Sequence, residues 1–329
     1  MNKHNWLVTG AAGFIGSHIA EHLLINNQNV VALDNFSTGK ERNIEQMISI
    51  AGDEAAKRFR LIRGDIQDFA TCKEATKGVD FVLHHAALVS VPYSIKSPIE
   101  TNNVNVTGFL NMLAASSENK VKRFVYASSS AVYGDDEQQP KIEGQIGIPL
   151  SPYAATKNIN EIWSAAFNHI YDLECVGLRY FNVFGSRQEP EGAYAAVIPS
   201  WFKALMKNEP AVIYGDGENT RDFCYVKDIV KANICAARTK NKRAFGNVFN
   251  IGLGKQTSLN ELFEIIKSIA SPKSKARPQY AAFREGDIRH SVANIDSAVN
   301  VLQFKPEYSL QRGLEEAAEW YSVFLVNNS

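Results

Sequence analysis

The sequence predicts an α/β fold in which helices cover both faces of a doubly wound parallel sheet, with a smaller C-terminal α/β lobe. The chain has 329 residues, a length that suits one large domain with a smaller partner. Hydrophobic residues make up 45% of it and charged residues 21%, so it can bury a core. Short apolar runs alternate with stretches of helical periodicity, and this alternation is typical of parallel α/β sheets.

The N-terminal segment is predicted to be a βαβ unit. A short apolar run at residues 6–8 is followed by a glycine turn, by apolar residues at helical spacing between Ile15 and Leu24, and by a second apolar run that ends at Asp34. Further buried strands are predicted at Phe59–Ile62, Phe81–His84, Phe124–Ala127, Val176–Tyr180 and Val248–Ile251.

The second half of the chain is less regular. Segments rich in Pro, Gly or polar residues interrupt the alternation at 134–152, 185–193 and 271–290. We interpret these as active-site loops and as part of the C-terminal lobe, in which helices are predicted from Ser258 and after Ser309. Residues 1–180, with strands and helices to about residue 250 contributing, are expected to form the first domain, and residues 181–329 mainly the second lobe.

The amino-acid composition limits which partners and which cellular compartment we expect for the protein. Lys plus Arg and Asp plus Glu each total 35, so no net field attracts a polyanion and we expect no nucleic acid partner. The four cysteines form no CxxC pattern and the N-terminus does not resemble an export signal, so we expect reduced thiols and a cytoplasmic protein. No apolar run approaches the roughly 18 residues that span a bilayer, so no membrane partner is expected.

A glycine motif follows the first predicted strand. Gly10, Gly13 and Gly16 allow a tight turn and a close approach of the main chain to a pyrophosphate, and the next helix offers free N–H groups. Asp34 ends the second strand, where a carboxylate can bind the adenosine ribose hydroxyls of a Rossmann-type fold. A carboxylate repels a 2′-phosphate, and residues 35–37 supply no arginine to bind one. The pattern therefore predicts NAD rather than NADP as the cofactor.

Two further strand ends carry polar side chains. Asp65 follows the third strand and is expected beside the adenine. His84 and His85 end the fourth strand, but neighbouring strand residues point to opposite faces and no Cys, Asp or Glu cluster accompanies them. We predict packing and hydrogen bonding for both histidines, and no metal site.

Tyr153 and Lys157 form a candidate catalytic pair. They follow Ser151-Pro152, a helix-start signature, and lie one turn apart on one helix face. A tyrosine with a pKa of about 10 is a poor base at neutral pH. A nearby ammonium and a positive nicotinamide ring favour phenolate, so we expect the pKa of Tyr153 to be lowered and the phenolate to accept a sugar-alcohol proton. The serine run 128–130, at the end of a predicted strand, supports this interpretation.

With these motifs the chain resembles the extended short-chain dehydrogenase/reductase superfamily and, within it, the nucleotide-sugar 4-epimerases. The resemblance rests on Thr9–Gly16, Asn105–Gly108, Ser128–Gly134, Tyr153 with Lys157, Leu178–Gly185, Arg221–Phe223 and Arg284–Asp287. Through residues 192–199 the chain is most similar to bacterial epimerases that interconvert UDP-N-acetylglucosamine and UDP-N-acetylgalactosamine for surface polysaccharide synthesis.

The resemblance implies a reaction and its residues. Sugar C4 is oxidised to a 4-keto intermediate and then reduced from the other face, and NAD is regenerated in each cycle. Tyr153 is the implied base, Lys157 its partner and Ser129 the serine that binds the sugar oxygen, with Ser128 and Ser130 left open as alternatives. The first domain then holds NAD and the second lobe mainly the UDP-sugar.

Two sets of contacts follow, together with a homodimer through paired helices, for which the apolar faces around residues 105–115 and 159–167 are candidates, with core packing as the alternative for these faces. Residues expected to bind NAD are Gly10, Gly13, Phe14, Ile15, Gly16, Asp34, Asn35, Asp65, Ile66, Ala86, Ala87, Asn105, Tyr153, Lys157 and Tyr180. Residues expected to bind the UDP-sugar are Ser129, Ser130, Asn182, Val197, Arg221, Arg284, Asp287 and Ser291.

Positions that differ among members of this family indicate which reaction and which substrate to expect. Relatives that dehydrate a hexose carry Asp-Glu directly after the catalytic Ser or Thr, and this chain has Ser130-Ala131 there, which disfavours a dehydratase. A tyrosine excludes N-acetyl groups in some relatives at the position of Ser291, so we predict that UDP-N-acetylhexosamines are accepted. The alternatives are a UDP-galactose or UDP-glucuronate type of 4-epimerase and a non-catalytic NAD-sensing protein.

Overall fold

A computed structural model describes residues 3–190, 196–272, 277–283 and 288–327. Its strands are β1 (Asn5–Thr9), β2 (Asn29–Asp34), β3 (Phe59–Arg63), β4 (Phe81–His84), β5 (Arg123–Ser129), β6 (Glu174–Tyr180), β7 (Asn182–Phe184), β8 (Val212–Tyr214), β9 (Thr220–Arg221), β10 (Phe223–Tyr225), β11 (Asn247–Ile251), β12 (Thr257–Ser258) and β13 (Gln279–Ala281). Its helices are α1 (Phe14–Ile25), α2 (Glu41–Ala51), α3 (Asp53–Ala56), α4 (Phe69–Thr76), α5 (Val91–Lys96), α6 (Pro98–Asn102), α7 (Phe109–Glu118), α8 (Pro152–Ile170), α9 (Val197–Met206), α10 (Val226–Arg238), α11 (Leu259–Ala270) and α12 (Leu310–Asn327). Short π or 3-10 turns cover Asn103–Gly108, Ser130–Tyr133, Lys242–Ala244 and Ala298–Leu302.

Within the described residues, seven strands form one parallel sheet in the order β11-β6-β5-β4-β1-β2-β3. The chain runs outward from β1 to β3, returns to β4 on the other side of β1, and continues outward to β11. This confirms the predicted doubly wound fold, and each predicted strand lies within two residues of an observed one. The order reverses between β1 and β4, and ligands of such sheets bind outside the carboxyl ends of the strands at this switch point.

The sheet is buried on both faces. Val8 and Val125 point into the core packed by α1 and α10, whereas their chain neighbours Leu7 and Phe124 point into the core packed by α4 and α7. All four side chains are fully buried. This explains why the strands are almost continuously apolar rather than alternating.

Several helices begin at a side chain that accepts a hydrogen bond from the first turn. Asp68, Ser90, Ser151 and Ser258 each accept from a backbone N–H two or three residues further on. Such N-caps are worth about 1 kcal/mol each. The cap at Ser151, followed by Pro152, fixes the start of α8 and therefore the position of the residues on its first turns.

Most of the elements after β6, apart from α10 and β11, build smaller sheets and a separate core. The two-stranded sheets pair β7 with β10, β9 with β12, and β8 with β13. Helices α9, α11 and α12 bury Phe202, Phe263 and Tyr321 in this core. The predicted helices near Ser258 and Ser309 correspond to α11 and α12.

The segment that follows β7 is tied back to the first two helices. Arg187, whose side chain is only 3% exposed, forms an ion pair with Glu21 of α1. Glu189 forms a second ion pair with Arg42 of α2. We call residues 185–190 the clamp segment, because these two pairs attach it to the helices beside the glycine turn.

No helix in the described part of the chain combines the length and the apolar character needed to cross a membrane.

Candidate active site

The glycine turn brings three backbone segments into close contact. Gly10 has φ of +67°, and its N–H donates to the Leu33 carbonyl at 2.9 Å. A Cβ on Gly16 would lie 2.1 Å from the Gly10 carbonyl oxygen, and one on Gly10 would lie 2.8 Å from the backbone N of Ala86. The turn therefore tolerates only glycine, and it leaves the N–H groups and the positive dipole end of α1 facing a cleft.

Asp34 lies at the carboxyl end of β2, beside this turn. One of its oxygens accepts the N–H of Ala12 at 2.8 Å and the other accepts that of Phe36 at 2.8 Å. Burial raises the pKa of Asp34, and the two backbone hydrogen bonds lower it. Each oxygen keeps a lone pair, so the carboxylate can still accept hydroxyl groups of a ligand.

One cleft at the switch point gathers most of the residues predicted for the cofactor. Its lining includes Gly10, Gly13, Phe14, Ile15, Gly16, Asp34, Asn35, Asp65, Ile66, Ala86, Ala87, Ser129, Tyr153, Lys157 and Tyr180. Asn105 differs from the expectation, because the structure places it behind the cleft wall with 1% exposure. Its amide is used by the backbone N–H and carbonyl of Leu88 and by the Thr156 hydroxyl.

Several residues that were not predicted to contact the cofactor line the same cleft, among them Ser128 and His85, which were named above for other roles. They are Leu33, Ser37, Thr38, Gly39, Gly64, His85, Leu88, Val89, Val104, Ala127, Ser128, Phe181, Val183 and Gln188. Gly39 carried a readable signal, because it ends a polar segment after the second strand. A Cβ there would lie 2.8 Å from that of Ala12 and 2.9 Å from Asp34 Oδ1. Gln188 belongs to the clamp segment, and only the folded chain brings it to the cleft.

Tyr153, Lys157 and Ser129 meet at the carboxyl end of β5. Tyr153 is 8% exposed, and the Ser129 side chain lies close enough to its hydroxyl to lower the pKa of the phenol. Lys157 Nζ lies 5.9 Å from the centre of the Tyr153 ring and donates to the Ala127 carbonyl at 2.8 Å. Of the serine run, Ser128 donates to Glu161 instead. Ser129 accepts the Ala131 N–H at 3.1 Å and lines the cleft beside Tyr153, so its assignment as the serine that binds the sugar oxygen stays a prediction.

Burial is the largest effect on the pKa of both residues of the pair. Burial raises the pKa of Tyr153, and the hydrogen bond with Ser129 lowers it. Burial lowers the pKa of Lys157 to about 8, and the Glu161 carboxylate raises it. Within the chain burial is the largest effect on Tyr153, and the lowering of its pKa that we expect from the ammonium and the nicotinamide ring together stays a prediction. Lys157 still carries its proton at neutral pH.

The two adjacent histidines point in opposite directions. His84 Nδ1 lies 2.9 Å from the Thr9 hydroxyl oxygen, and its ring packs against Phe109 and Phe124. His85 Nε2 lies 2.9 Å from the Tyr180 hydroxyl oxygen. Among the described residues there is no group of three or more His, Cys, Asp or Glu side chains that could bind a metal ion.

The residues predicted for the UDP-sugar lie further from the sheet. Arg221 Nη1 donates to the Thr220 carbonyl at 2.9 Å, and the Ser291 N–H donates to the same carbonyl at 3.2 Å, so these two residues are neighbours. Asn182 begins β7 and Val197 begins α9. Ser130 begins the 3-10 turn after β5. Arg284, Asp287 and residues 192–195 lie outside the described residues.

Comparison with known proteins gives one consistent family. A family model described as "NAD dependent epimerase/dehydratase family" matches residues 6–252. A putative UDP-glucose 4-epimerase of Methanocaldococcus jannaschii is 38% identical over 95% of this chain and 97% of its own length. A UDP-glucuronate 4-epimerase of Thermodesulfobacterium geofontis is 31% identical over 96% of this chain and 95% of its own.

Solved structures agree with this result. A UDP-N-acetylglucosamine 4-epimerase from Methanobrevibacter ruminantium, in complex with UDP-N-acetylmuramic acid, has a TM-score of 0.91 at 40% identity and covers 98% of this chain and 100% of its own. A UDP-glucuronic acid 4-epimerase from Bacillus cereus, in complex with UDP-glucuronic acid and NAD, has a TM-score of 0.87 at 32% identity and covers 97% and 99%.

Proposed function

The chain belongs to the NAD-dependent epimerase/dehydratase family, and from that premise we propose that it interconverts UDP-N-acetylglucosamine and UDP-N-acetylgalactosamine. It is an NAD-dependent UDP-sugar 4-epimerase. The choice of sugar is the part that we propose. The product would be an activated amino sugar for polysaccharide synthesis in the cytoplasm.

The cleft fits NAD on its own geometry. The glycine turn has no room for side chains where a pyrophosphate must approach, and the start of α1 presents N–H groups to it. Asp34 would bind the adenosine ribose, and Lys157 would bind the nicotinamide ribose. When bound, NAD supplies the hydride acceptor, the returning hydride and a positive ring near the phenol.

The observation that carries the proposal is that Ser129, Tyr153 and Lys157 line the same cleft as the glycine turn, with Lys157 Nζ 5.9 Å from the centre of the Tyr153 ring. A sugar hydroxyl that hydrogen-bonds both oxygens can transfer its proton to the Tyr153 phenolate as C4 is oxidised, and can take it back after the keto sugar has turned over. The Lys157 ammonium favours the phenolate by its charge. Ser129 orients the hydroxyl at both stages.

Two facts support an N-acetylhexosamine. Ser291 is small, and it neighbours Arg221, the guanidinium that we assign to the diphosphate. The solved UDP-N-acetylglucosamine 4-epimerase is 40% identical over almost the whole chain. A C6-carboxylated sugar is the second candidate, because several relatives at 31–33% identity are UDP-glucuronate 4-epimerases.

The test is a competition followed by proton NMR. The purified protein receives UDP-N-acetylglucosamine, UDP-glucose and UDP-glucuronate at equal concentration without added cofactor, and each 4-epimer is integrated over time. We expect UDP-N-acetylgalactosamine to form fastest. Faster epimerisation of UDP-glucuronate would reject the sugar assignment, and no product from folded, NAD-loaded protein would support the sensor alternative.

Ser291→Tyr tests the gate separately, with Ser291→Ala as the matched small variant. The tyrosine should suppress turnover of the acetylated sugar by about tenfold or more and leave UDP-galactose turnover near the wild-type rate. The alanine should change neither. Equal losses on both sugars in the tyrosine variant would remove Ser291 from the specificity argument.

We also propose that the protein is a homodimer through the outer faces of α6 and α8. Ile99 of α6 is 77% exposed, and Ile162 and Trp163 of α8 are 63% and 38% exposed. Large apolar side chains at such exposure on neighbouring helices are typical of protein interfaces. A second copy of the same face would bury them.

A further inference from the structure

Glu161 lies directly behind the catalytic pair and the mechanism above does not use it. It follows Lys157 by one turn of α8, so Tyr153, Lys157 and Glu161 share one helix face. Its side chain is 9% exposed, and that of its ion-pair partner Arg179 is 3% exposed. This is a buried carboxylate with a buried counter-charge.

The carboxylate joins α8 to two strands. Arg179 Nε donates to Glu161 Oε1 at 2.9 Å and Arg179 Nη2 to Oε2 at 2.8 Å, while the Ser128 hydroxyl also donates to Oε1. Ser128 of β5 and Arg179 of β6 are opposite each other in the sheet register. Glu161 therefore fixes α8 against both strands next to Ser129.

The same carboxylate is the negative charge that acts on Lys157. The lysine is 3% exposed, and burial lowers its pKa to about 8 while Glu161 raises it. Without that carboxylate, a buried ammonium whose described hydrogen bond goes to a single carbonyl would lose its proton more easily.

The other titratable groups that face Lys157 do not replace this charge. His84 and His85 approach from β4, and burial lowers the pKa of both, so they are neutral above pH 7. Tyr126 of β5 is kept protonated because burial raises its pKa well above 10. Arg179 of β6 is positive and pairs with Glu161, so it cannot supply a second negative charge.

We propose that Glu161 is a positioning residue of the active site, which keeps Lys157 charged and holds the Ser129 strand against α8. The proposal rests on the proposed function for its catalytic meaning. Its physical content, the charge state of Lys157, can be measured without any sugar.

The experiment is an NMR titration of protein labelled with carbon-13 at the lysine ε position, in which Lys157→Met assigns the Lys157 signal. Glu161→Gln keeps an acceptor for Ser128 and removes the charge. We expect its Lys157 midpoint to fall by at least about one pH unit. Arg179→Met removes the opposing cation, and we expect its midpoint to rise. Ser128→Ala changes one hydrogen bond and no charge, so its midpoint should stay at the wild-type value.

A different result is expected if Glu161 only stabilises the fold and does not affect the charge of Lys157. Glu161→Gln and Arg179→Met would then both lower the melting temperature and leave the Lys157 midpoint where it was, and this outcome would overturn the proposal. If Glu161→Gln does not fold, the titration of Arg179→Met tests the proposal instead. A Lys157 midpoint that is unchanged or lower in that variant contradicts the charge argument. A Lys157 shift without any epimerase activity would reject the proposed function and leave this inference intact.

Discussion

Replacing Gly16 with alanine tests whether the close backbone approach at the glycine turn holds the cofactor. The new Cβ would lie 2.1 Å from the Gly10 carbonyl oxygen and 2.8 Å from the Gly10 carbonyl carbon, and ordinary contact begins at 3.4 Å. Both obstacles are backbone atoms, which cannot rotate away. The start of α1 must therefore move by about 1.3 Å relative to the turn.

The size of the effect follows from what that movement breaks. Overpacking of this kind costs about 1–3 kcal/mol of folding stability. The displaced N–H groups also lose their geometry toward a phosphate, and each hydrogen bond to a charged group is worth about 1.5–3 kcal/mol. We expect the affinity for NAD to fall by about 2–4 kcal/mol, which is roughly 30- to 1,000-fold.

The assay is isothermal titration of NAD-stripped protein with NAD, together with thermal unfolding in the presence and absence of NAD. Gly144→Ala is the matched control, because a Cβ at Gly144 meets nothing within 4 Å and its φ is not in the left-handed region. The control should bind NAD like the wild type. A Gly16→Ala protein with wild-type affinity would refute the assignment of the pyrophosphate to this turn.

Four further predictions address other parts of the molecule. Tyr153→Phe should lower the rate of UDP-sugar epimerisation by about 10²- to 10⁴-fold and leave NAD affinity nearly unchanged, as NMR turnover and titration would measure. Lys157→Met should raise the free energy of unfolding of the NAD-free protein by about 2 kcal/mol at pH 7, because the folded protein binds the Lys157 proton less tightly than the unfolded chain does. That advantage should shrink as the pH rises from about 8 toward 10.5, and a denaturant series that found it constant with pH would contradict the buried charge. Glu21→Ala leaves the 3% exposed Arg187 without its carboxylate and should lower the free energy of unfolding by about 3 kcal/mol in urea titrations. Ile162→Glu should convert the proposed dimer to monomers in sedimentation experiments, and an unchanged mass would place the interface elsewhere.

The sheet could be predicted because local patterns determine its parts. Trp6–Val8 and Phe124–Ala127 are short apolar runs bounded by turn residues, and both became central strands. The glycine spacing and Asp34 could be read for the same reason, since turn, helix start and strand end are adjacent in sequence. Their meeting in one cleft follows from the doubly wound topology itself.

The rest of the site depended on tertiary contacts that no local pattern shows. The Ser128 hydroxyl donates to Glu161, which lies 33 residues further along the chain, and no local pattern predicts that contact. Asn105 matched a family motif, but it lies behind the cleft lining. Its side-chain amide hydrogen-bonds the backbone N–H and carbonyl of Leu88. Burial raises the pKa of Tyr153, and burial is a property of the packed chain that no local pattern shows.

The two ion pairs of the clamp segment limit how far it can move from the helices beside the cleft. A movement of the clamp segment away from α1 and α2 would break two ion pairs, Arg187–Glu21 and Arg42–Glu189. The first of these is buried, because the Arg187 side chain is only 3% exposed. Breaking the buried pair alone costs about 3–5 kcal/mol. Fewer than about one molecule in a hundred would therefore have the clamp segment detached at any time. The clamp segment therefore keeps Gln188 at the cleft in almost all folded molecules.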